Sequence, residues 1–406
     1  MAGENTTSRI QRAVRELEPY VIEQRRRFHA HPELSLQEFW TTDAIAEELD
    51  RMGIPYTRPL ETGLTATLRG TAKGAYLSDG TPRRCLLLRA DIDALAVEER
   101  TGAPFASTNP GVMHACGHDC HIAMLLGTLR VLAQMTDELA GEVRAIFQPS
   151  EENGQGAALM IDAGAADKVD GAFALHIWSE VDAGTISCEA GPRMANVDWF
   201  RIDVTGTSCH GAMPQRGADA VVAAAEIANA LQTIVSRDVS PFEPAVVTIG
   251  ELHAGSARNV IAGKAYLAGT VRTYGARTHE AMPALIKRIA THTAQALGAE
   301  AALTEYTRAH PAVVNDAKAA ECCRRAVERV LGEDAVGSYQ GTLSGEDFSL
   351  YLERVPGVLA FVGTRNPATG ATFAQHSCYY TVDESVLAKG VALTCQYAVD
   401  FLAEDK

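Results

Sequence analysis

The stretch CLLLRA, residues 85–90, is apolar over its first four positions and runs directly into Asp91 and Asp93. A strand with one face in water alternates apolar and polar residues, whereas a near-continuous apolar run is the pattern of a strand covered on both faces. Three other stretches share this texture: EVRAIF at 142–147, GAFALH at 171–176 and GVLAFVG at 357–363. Amphipathic patterns lie between and after them, at 119–134, 154–164, 316–331 and 383–402. Two more helical patterns open the chain, one with Ile10, Val14, Leu17, Val21 and Ile22 on a single face, the other TTDAIAEELDRMG, closed by Gly53. The expected fold class is therefore α/β, a mostly parallel mixed sheet flanked by helices.

Between 193 and 303 the pattern changes. WFRIDVTG, AVVTIGELH and KAYLAGTVRT alternate as half-buried strands do, and helical patterns fall at about 217–237 and 277–297. Strand, helix, strand, strand, helix, strand is the order of a small α+β open-faced sandwich of the ferredoxin-like kind. The expected division is a first domain made of 1–192 and 304–406, with 193–303 inserted as a second. A length of 406 residues agrees with two cores rather than one.

Composition bounds the function. Hydrophobic residues at 47% and charged residues at 21% describe a globular chain. A formal net charge of -15 speaks against a nucleic-acid partner, which needs a basic face. No apolar run reaches the roughly 18 to 20 residues needed to cross a bilayer, and the polar start MAGENTTSRIQRAVRELEPY does not read as a secretion signal. Nine scattered cysteines, an odd number without paired spacing, fit a reducing, cytoplasmic setting.

Ligands of open α/β sheets bind at the carboxyl ends of the strands. There the chain places Asp91, the segment QPSEE with Glu151 and Glu152, and His176. Nearby, MHACGHDCH at 113–121 sets Cys116 and His118 two apart across a glycine, so that one turn can aim both at a common centre. Thiolate, imidazole and carboxylate together suit a borderline-soft divalent ion. Taken singly, each feature also has a bland reading: a polar turn with one buried cysteine, acidic residues at a helix N-terminus, a hydrogen-bonded core histidine. With His376 of FAQHSCYY added, five donors exceed what one tetrahedral ion takes and suit two ions sharing a ligand. Of the adjacent glutamates, one can bind metal while the other accepts a proton.

These residues carry a resemblance. MHACGHDCHIAMLLG, FQPSEENGQGAALMIDAGA, ALHIWSEVDAGTI, TGTSCHGAMPQRGADA, NVIAG, LSGEDFSLYLERVPG and QHSCYYTVDE resemble, in order from about residue 25 to 400, the motifs of the zinc-type aminoacylase and carboxypeptidase family. The likeness is strongest to its hippurate and indole-acetyl-amino-acid hydrolase branch. The resemblance implies a catalytic domain with an inserted lid that forms homodimers or higher oligomers. It implies two divalent ions, zinc or manganese with cobalt or nickel as alternatives, held by Cys116, His118, Glu152, His176 and His376, with Glu151 as general base. His210 of SCHGAMPQRGADA would polarise the substrate carbonyl, and Asn259 and Arg272 would hold its carboxylate. One departure is Arg89, which stands two residues before Asp91 where carboxypeptidase members carry a metal-binding histidine. It puts the catalytic part of Asp91 in question.

The expected activity is metal-dependent hydrolysis of the amide bond in N-acyl amino acids, with a metallo-dipeptidase or carboxypeptidase acting on small peptides as the alternative. A small-molecule substrate is expected, with no nucleic-acid or membrane partner. Two further readings stay open on sequence alone: Cys116 as a nucleophile with a histidine base, and a non-catalytic metal-binding protein.

Overall fold

The computed structural model describes residues 5–404, which divide into two compact units. The first takes residues 5–191, Val314–Gln340 and residues 347–404; the second takes Pro192–Val313 and Gly341–Glu346.

Every residue of the strand Cys85–Asp91 is buried. It lies parallel to Glu142–Gln148 on one side and to Gly171–Asp182 on the other, and Gly357–Arg365 continues the parallel run beyond Gly171–Asp182. These four apolar strands form the middle of a seven-stranded sheet whose outer members are antiparallel: Leu64–Arg69 and Tyr56–Thr57 at one edge, Ile186–Ser187 at the other. The antiparallel strand LTATLR escaped the sequence reading because its threonines count as polar, although β-branched side chains favour strands.

Helices cover the sheet. His118–Ala133 is buried at all positions except Arg130 and Ala133, packing against Thr6–His29 and Leu387–Ala403. Residues 384–403 are long and apolar enough to cross a membrane, yet 78% of that window is buried, as expected of a core helix. Helix ends follow local chemistry: Asp316 caps Ala317–Leu331 through Lys318 and Ala319 N–H, and Gly53 closes Phe39–Met52 at φ 68.

Two sequence expectations need correction here. His176 does not end a strand, since Gly171–Asp182 continues past it and is paired by Gly357–Arg365. The pairing with Cys85–Asp91 stops at Arg89 and Ala174, so Asp91 and His176, each two residues further on, stand at the same level beyond it. Helix 154–164 is shorter, Gly156–Asp162.

The second unit has one antiparallel sheet of four strands in the order Ala245–Ala254, Lys264–Thr273, Asn196–Thr205, Glu300–His310. Helices Ala220–Thr233 and Ala276–Ala296 pack with it around Phe200, Ile202, Val204, Ile227, Leu231, Leu267 and Ile286. Its last strand runs on to His310, beyond the expected boundary at 303. Register shifts at Leu303/Glu305 and Arg308/His310 break the alternation that would have marked the continuation.

Candidate metal centre and active site

Gly117 begins the helix His118–Ala133 from a left-handed conformation, φ 96, which turns Cys116 and His118 toward one region. A Cβ at this position would lie 2.2 Å from Ile177 Cδ1, so the turn sits hard against the neighbouring strand. That strand supplies His176, whose Nε2 is 3.7 Å from Cys116 Sγ. Its Nδ1 lies 2.7 Å from the Ile177 carbonyl, which can only accept, so Nδ1 carries the proton and the Nε2 lone pair faces the thiol.

His118 is oriented in the same way. Its Nδ1 donates to the Asp93 carbonyl at 3.0 Å, leaving Nε2 at 3.6 Å from Asp91 Oδ2 and 3.8 Å from Glu152 Oε1. Both His118 Nε2 and Glu152 Oε1 are buried without a hydrogen-bond partner, a pairing of orphans that a cation would satisfy. Against the effect of burial, Asp91 and then Asp93 raise the His118 pKa to about 10. A bare nitrogen among carboxylates holds either a proton or a cation, and metal binding displaces the proton. Burial pushes the Glu152 carboxyl up to about 7 against the pull of His118.

His376 stands at φ 66, with its N–H bonded to the Ala115 carbonyl at 2.8 Å and its Nε2 3.7 Å from Glu152 Oε1. Ligand atoms of Cys116, His118 and His176 lie within 4.8 Å of one another, as do those of Cys116, Glu152 and His376, and those of His118, Glu151 and Glu152. The first two triplets share Cys116 and together comprise the five donors singled out by the sequence. The donor set of sulfur, imidazole and carboxylate fits divalent metal.

Around these donors lies a set of groups whose contacts the sequence did not reveal. Arg89, buried, donates to Asp91 at 2.6 Å, to Gln148 at 3.0 Å and to Asp347 at 2.8 Å. Against burial, Arg89 first, then His118 and His121, hold the Asp91 carboxyl well below the usual range. Asp91 thus sits at the centre, facing His118 and bonded to His121 Nδ1. Asp93 couples two elements: its backbone carbonyl takes His118 Nδ1–H, and its Oδ2 takes the Glu152 N–H at 3.0 Å. Cys120 is fully buried in the hydrophobic core.

His210, Asn259 and Arg272 belong to the second unit. His210 pairs with Val260 in a short ladder, and Gly211 N–H donates to the Asn259 carbonyl at 2.9 Å, so these two residues are neighbours. The Ala212 N–H donates to His210 Nδ1 at 3.0 Å, which leaves the proton on Nε2 of an exposed ring. Arg272 is opposite Val197, which is opposite His310 on its other side, so the three share one face of the sheet. Burial lowers the Arg272 pKa and Asp198 opposes that shift.

The profile of peptidase family M20/M25/M40 matches residues 87–400. The chain belongs to peptidase family M20/M25/M40. It is 35% identical to thermostable carboxypeptidase 1 of Saccharolobus solfataricus over 97% of this chain and 98% of that one. It is 42% identical to the N-acyl-L-amino acid amidohydrolase of Geobacillus stearothermophilus over 72% of this chain and 78% of that one. A crystal structure from Bacillus subtilis, described as a dinuclear metal binding peptidase from the M20 family, superposes with a TM-score of 0.84 at 34% identity, covering 96% and 99% of the two chains. As an M20 member the chain is a hydrolase, and the mixed sheet flanked by helices is the fold it shares with that structure. The family match begins at residue 87, so the helices Thr6–His29 and Phe39–Met52 precede it.

Proposed function

We propose that this M20 chain hydrolyses the amide bond of N-acyl amino acids, giving a carboxylic acid and a free amino acid. The observation that carries the reading is the Glu151–Glu152 pair set beside His118, with ligand atoms within 4.8 Å of one another. The similarity to an N-acyl-L-amino acid amidohydrolase supports the substrate class.

Cys116, His118, Glu152, His176 and His376 would hold two divalent ions, zinc or manganese, with cobalt or nickel able to substitute. When bound, the metal supplies Lewis-acid activation of water and of the scissile carbonyl. Glu151 takes a proton from the attacking water at its carboxylate. It then returns that proton to the amine nitrogen as the C–N bond breaks. Asp91 keeps His118 and His121 oriented and touches no substrate in this scheme. His210 Nε2–H, set outward by the Ala212 contact, donates to the carbonyl oxygen as negative charge develops there. Arg272 and Asn259 receive the substrate carboxylate. The second unit would act as a lid that forms the homodimer. The nine cysteines, none in a disulfide, support a cytoplasmic setting.

The test is a panel of N-acetyl, N-benzoyl and long-chain N-acyl amino acids, with dipeptides alongside, assayed with defined metals. Turnover of the acyl series that disappears on chelation and returns with zinc, manganese or cobalt is expected. Full activity in metal-stripped protein would overturn the reading and restore Cys116 as candidate nucleophile. The 35% identical carboxypeptidase keeps one alternative in view, and dipeptide turnover exceeding that of every acyl substrate would select it.

A further inference from the structure

Glu38 occupies the position before the helix Phe39–Met52, where a short polar side chain such as Asp or Ser ordinarily caps the helix, and it makes no such bond. Glu33 does that work instead, accepting Trp40 N–H at 3.1 Å and Thr41 N–H at 2.8 Å. The Glu38 carboxylate turns elsewhere: its Oε1 accepts the Ser150 N–H at 2.8 Å, with both residues fully buried. Ser150 adopts φ 60, a left-handed conformation that is strained for a non-glycine residue and is kept only when its surroundings enforce it.

Those surroundings come from several directions. Thr42 Oγ1 donates to the Glu38 carbonyl at 2.6 Å and accepts the Gly63 N–H at 2.8 Å. Gly63, at φ 81, packs so closely on Pro149 that a Cβ would lie 2.5 Å from Pro149 Cδ. Two residues beyond Ser150, the Glu152 N–H is held by Asp93 Oδ2, which also accepts Ser35 Oγ–H at 2.7 Å. The segment from Glu33 to Thr42 therefore grips the turn that carries Glu151 and Glu152.

We propose that Glu38 is a positioning residue, holding Ser150 in its left-handed conformation and thereby fixing the direction in which Glu151 and Glu152 leave the strand Glu142–Gln148. The proposal rests on the reading that this glutamate pair binds metal and moves the proton. Glu38 acts through backbone alone and touches neither substrate nor ion.

The test compares Glu38→Ala with Glu38→Gln in the full chain. Zinc affinity is measured by competition with a chelating dye, kcat and KM on an N-acetyl amino acid, and thermal unfolding on metal-free protein. Glu38→Ala is expected to weaken zinc binding about 10–100-fold, the range for loss of an outer-shell partner, and to lower kcat about tenfold or more with KM within about twofold. Glu38→Gln keeps an oxygen that accepts the Ser150 N–H and is expected to recover most of both. Wild-type zinc affinity and kcat in Glu38→Ala would overturn the proposal, as would a Gln variant no better than Ala. If wild-type protein turns over no N-acyl amino acid, the proposed function fails, and the zinc competition still decides the part played by Glu38.

Discussion

His121 accepts the backbone N–H of Ile177 on its Nε2 at 3.0 Å. An N–H can point only at a lone pair, so the ring proton must sit on Nδ1, where Asp91 Oδ1 receives it at 2.5 Å. His121 lies within ligand range of His118 and Asp91 but has no lone pair left for an ion. Nitrogen NMR of the ring should show Nδ1 as pyrrole-like and Nε2 as pyridine-like, with and without metal. His121→Ala should weaken metal affinity or activity about 10–100-fold while the number of ions bound stays the same.

Glu151→Gln removes the proton acceptor and keeps the shape of the side chain. kcat on an N-acyl amino acid should fall about 10²–10⁴-fold, the range for general acid–base catalysis, with metal content unchanged by elemental analysis. Unchanged turnover would remove Glu151 from the mechanism.

In the proposed centre Cys116 would bring the soft ligand to a site otherwise built from nitrogen and oxygen. Cys116→Ser should shift preference away from zinc and toward manganese, read as the ratio of the two dissociation constants. An unaltered ratio would mean that the sulfur is a packing atom.

Gly117→Ala sets a side chain at φ 96, with its Cβ 2.2 Å from Ile177 Cδ1. Left-handed strain of about 1–2 kcal/mol adds to the movement forced on Ile177. A lowered melting temperature together with weakened zinc binding is expected, because the same turn aims Cys116 and His118. A wild-type melting temperature would show that the turn relaxes freely.

Glu99 supplies a pH signature away from the metal. Against burial, His29 first and then the Ser107 N–H hold its carboxyl at about 2, below its ordinary 4.5. A depressed carboxyl stabilises the fold fully above its unfolded value and loses that contribution as pH falls through the folded one. The melting-temperature gap between wild type and Glu99→Gln should be fully open at about pH 5, where His29 is still protonated, and close as pH falls toward 2. A gap that widens in acid would reverse the assignment.

Much of the architecture was legible because the central strands are buried on both faces and therefore carry unbroken apolar runs, as CLLLRA does. Glu152 and His176 could be found because each closely follows or lies in such a run, and Cys116 and His118 because they stand two apart across a glycine. Asp93, Glu38 and Arg89 could not be assigned in the same way. Their work is to accept or donate hydrogen bonds to partners as far as 258 positions away in sequence, and no local spacing encodes that. The left-handed Ser150 and His376 are equally silent in one dimension, since glycine is the usual signal and neither is glycine. The end of the strand Glu300–His310 was missed because its two register shifts erase the period on which the reading depends.

Arg89 has a consequence for how this enzyme lives without its metal. A pocket made only of carboxylates and thiolate would push itself apart when emptied, since its single source of positive charge would have left. Here a permanent cation is anchored at the foot of the pocket by Asp91, Gln148 and Asp347. It shares the chain's own covalent framework and cannot be chelated away. The guanidinium goes on offsetting the charge of Asp91 and Asp347 whether or not an ion is bound.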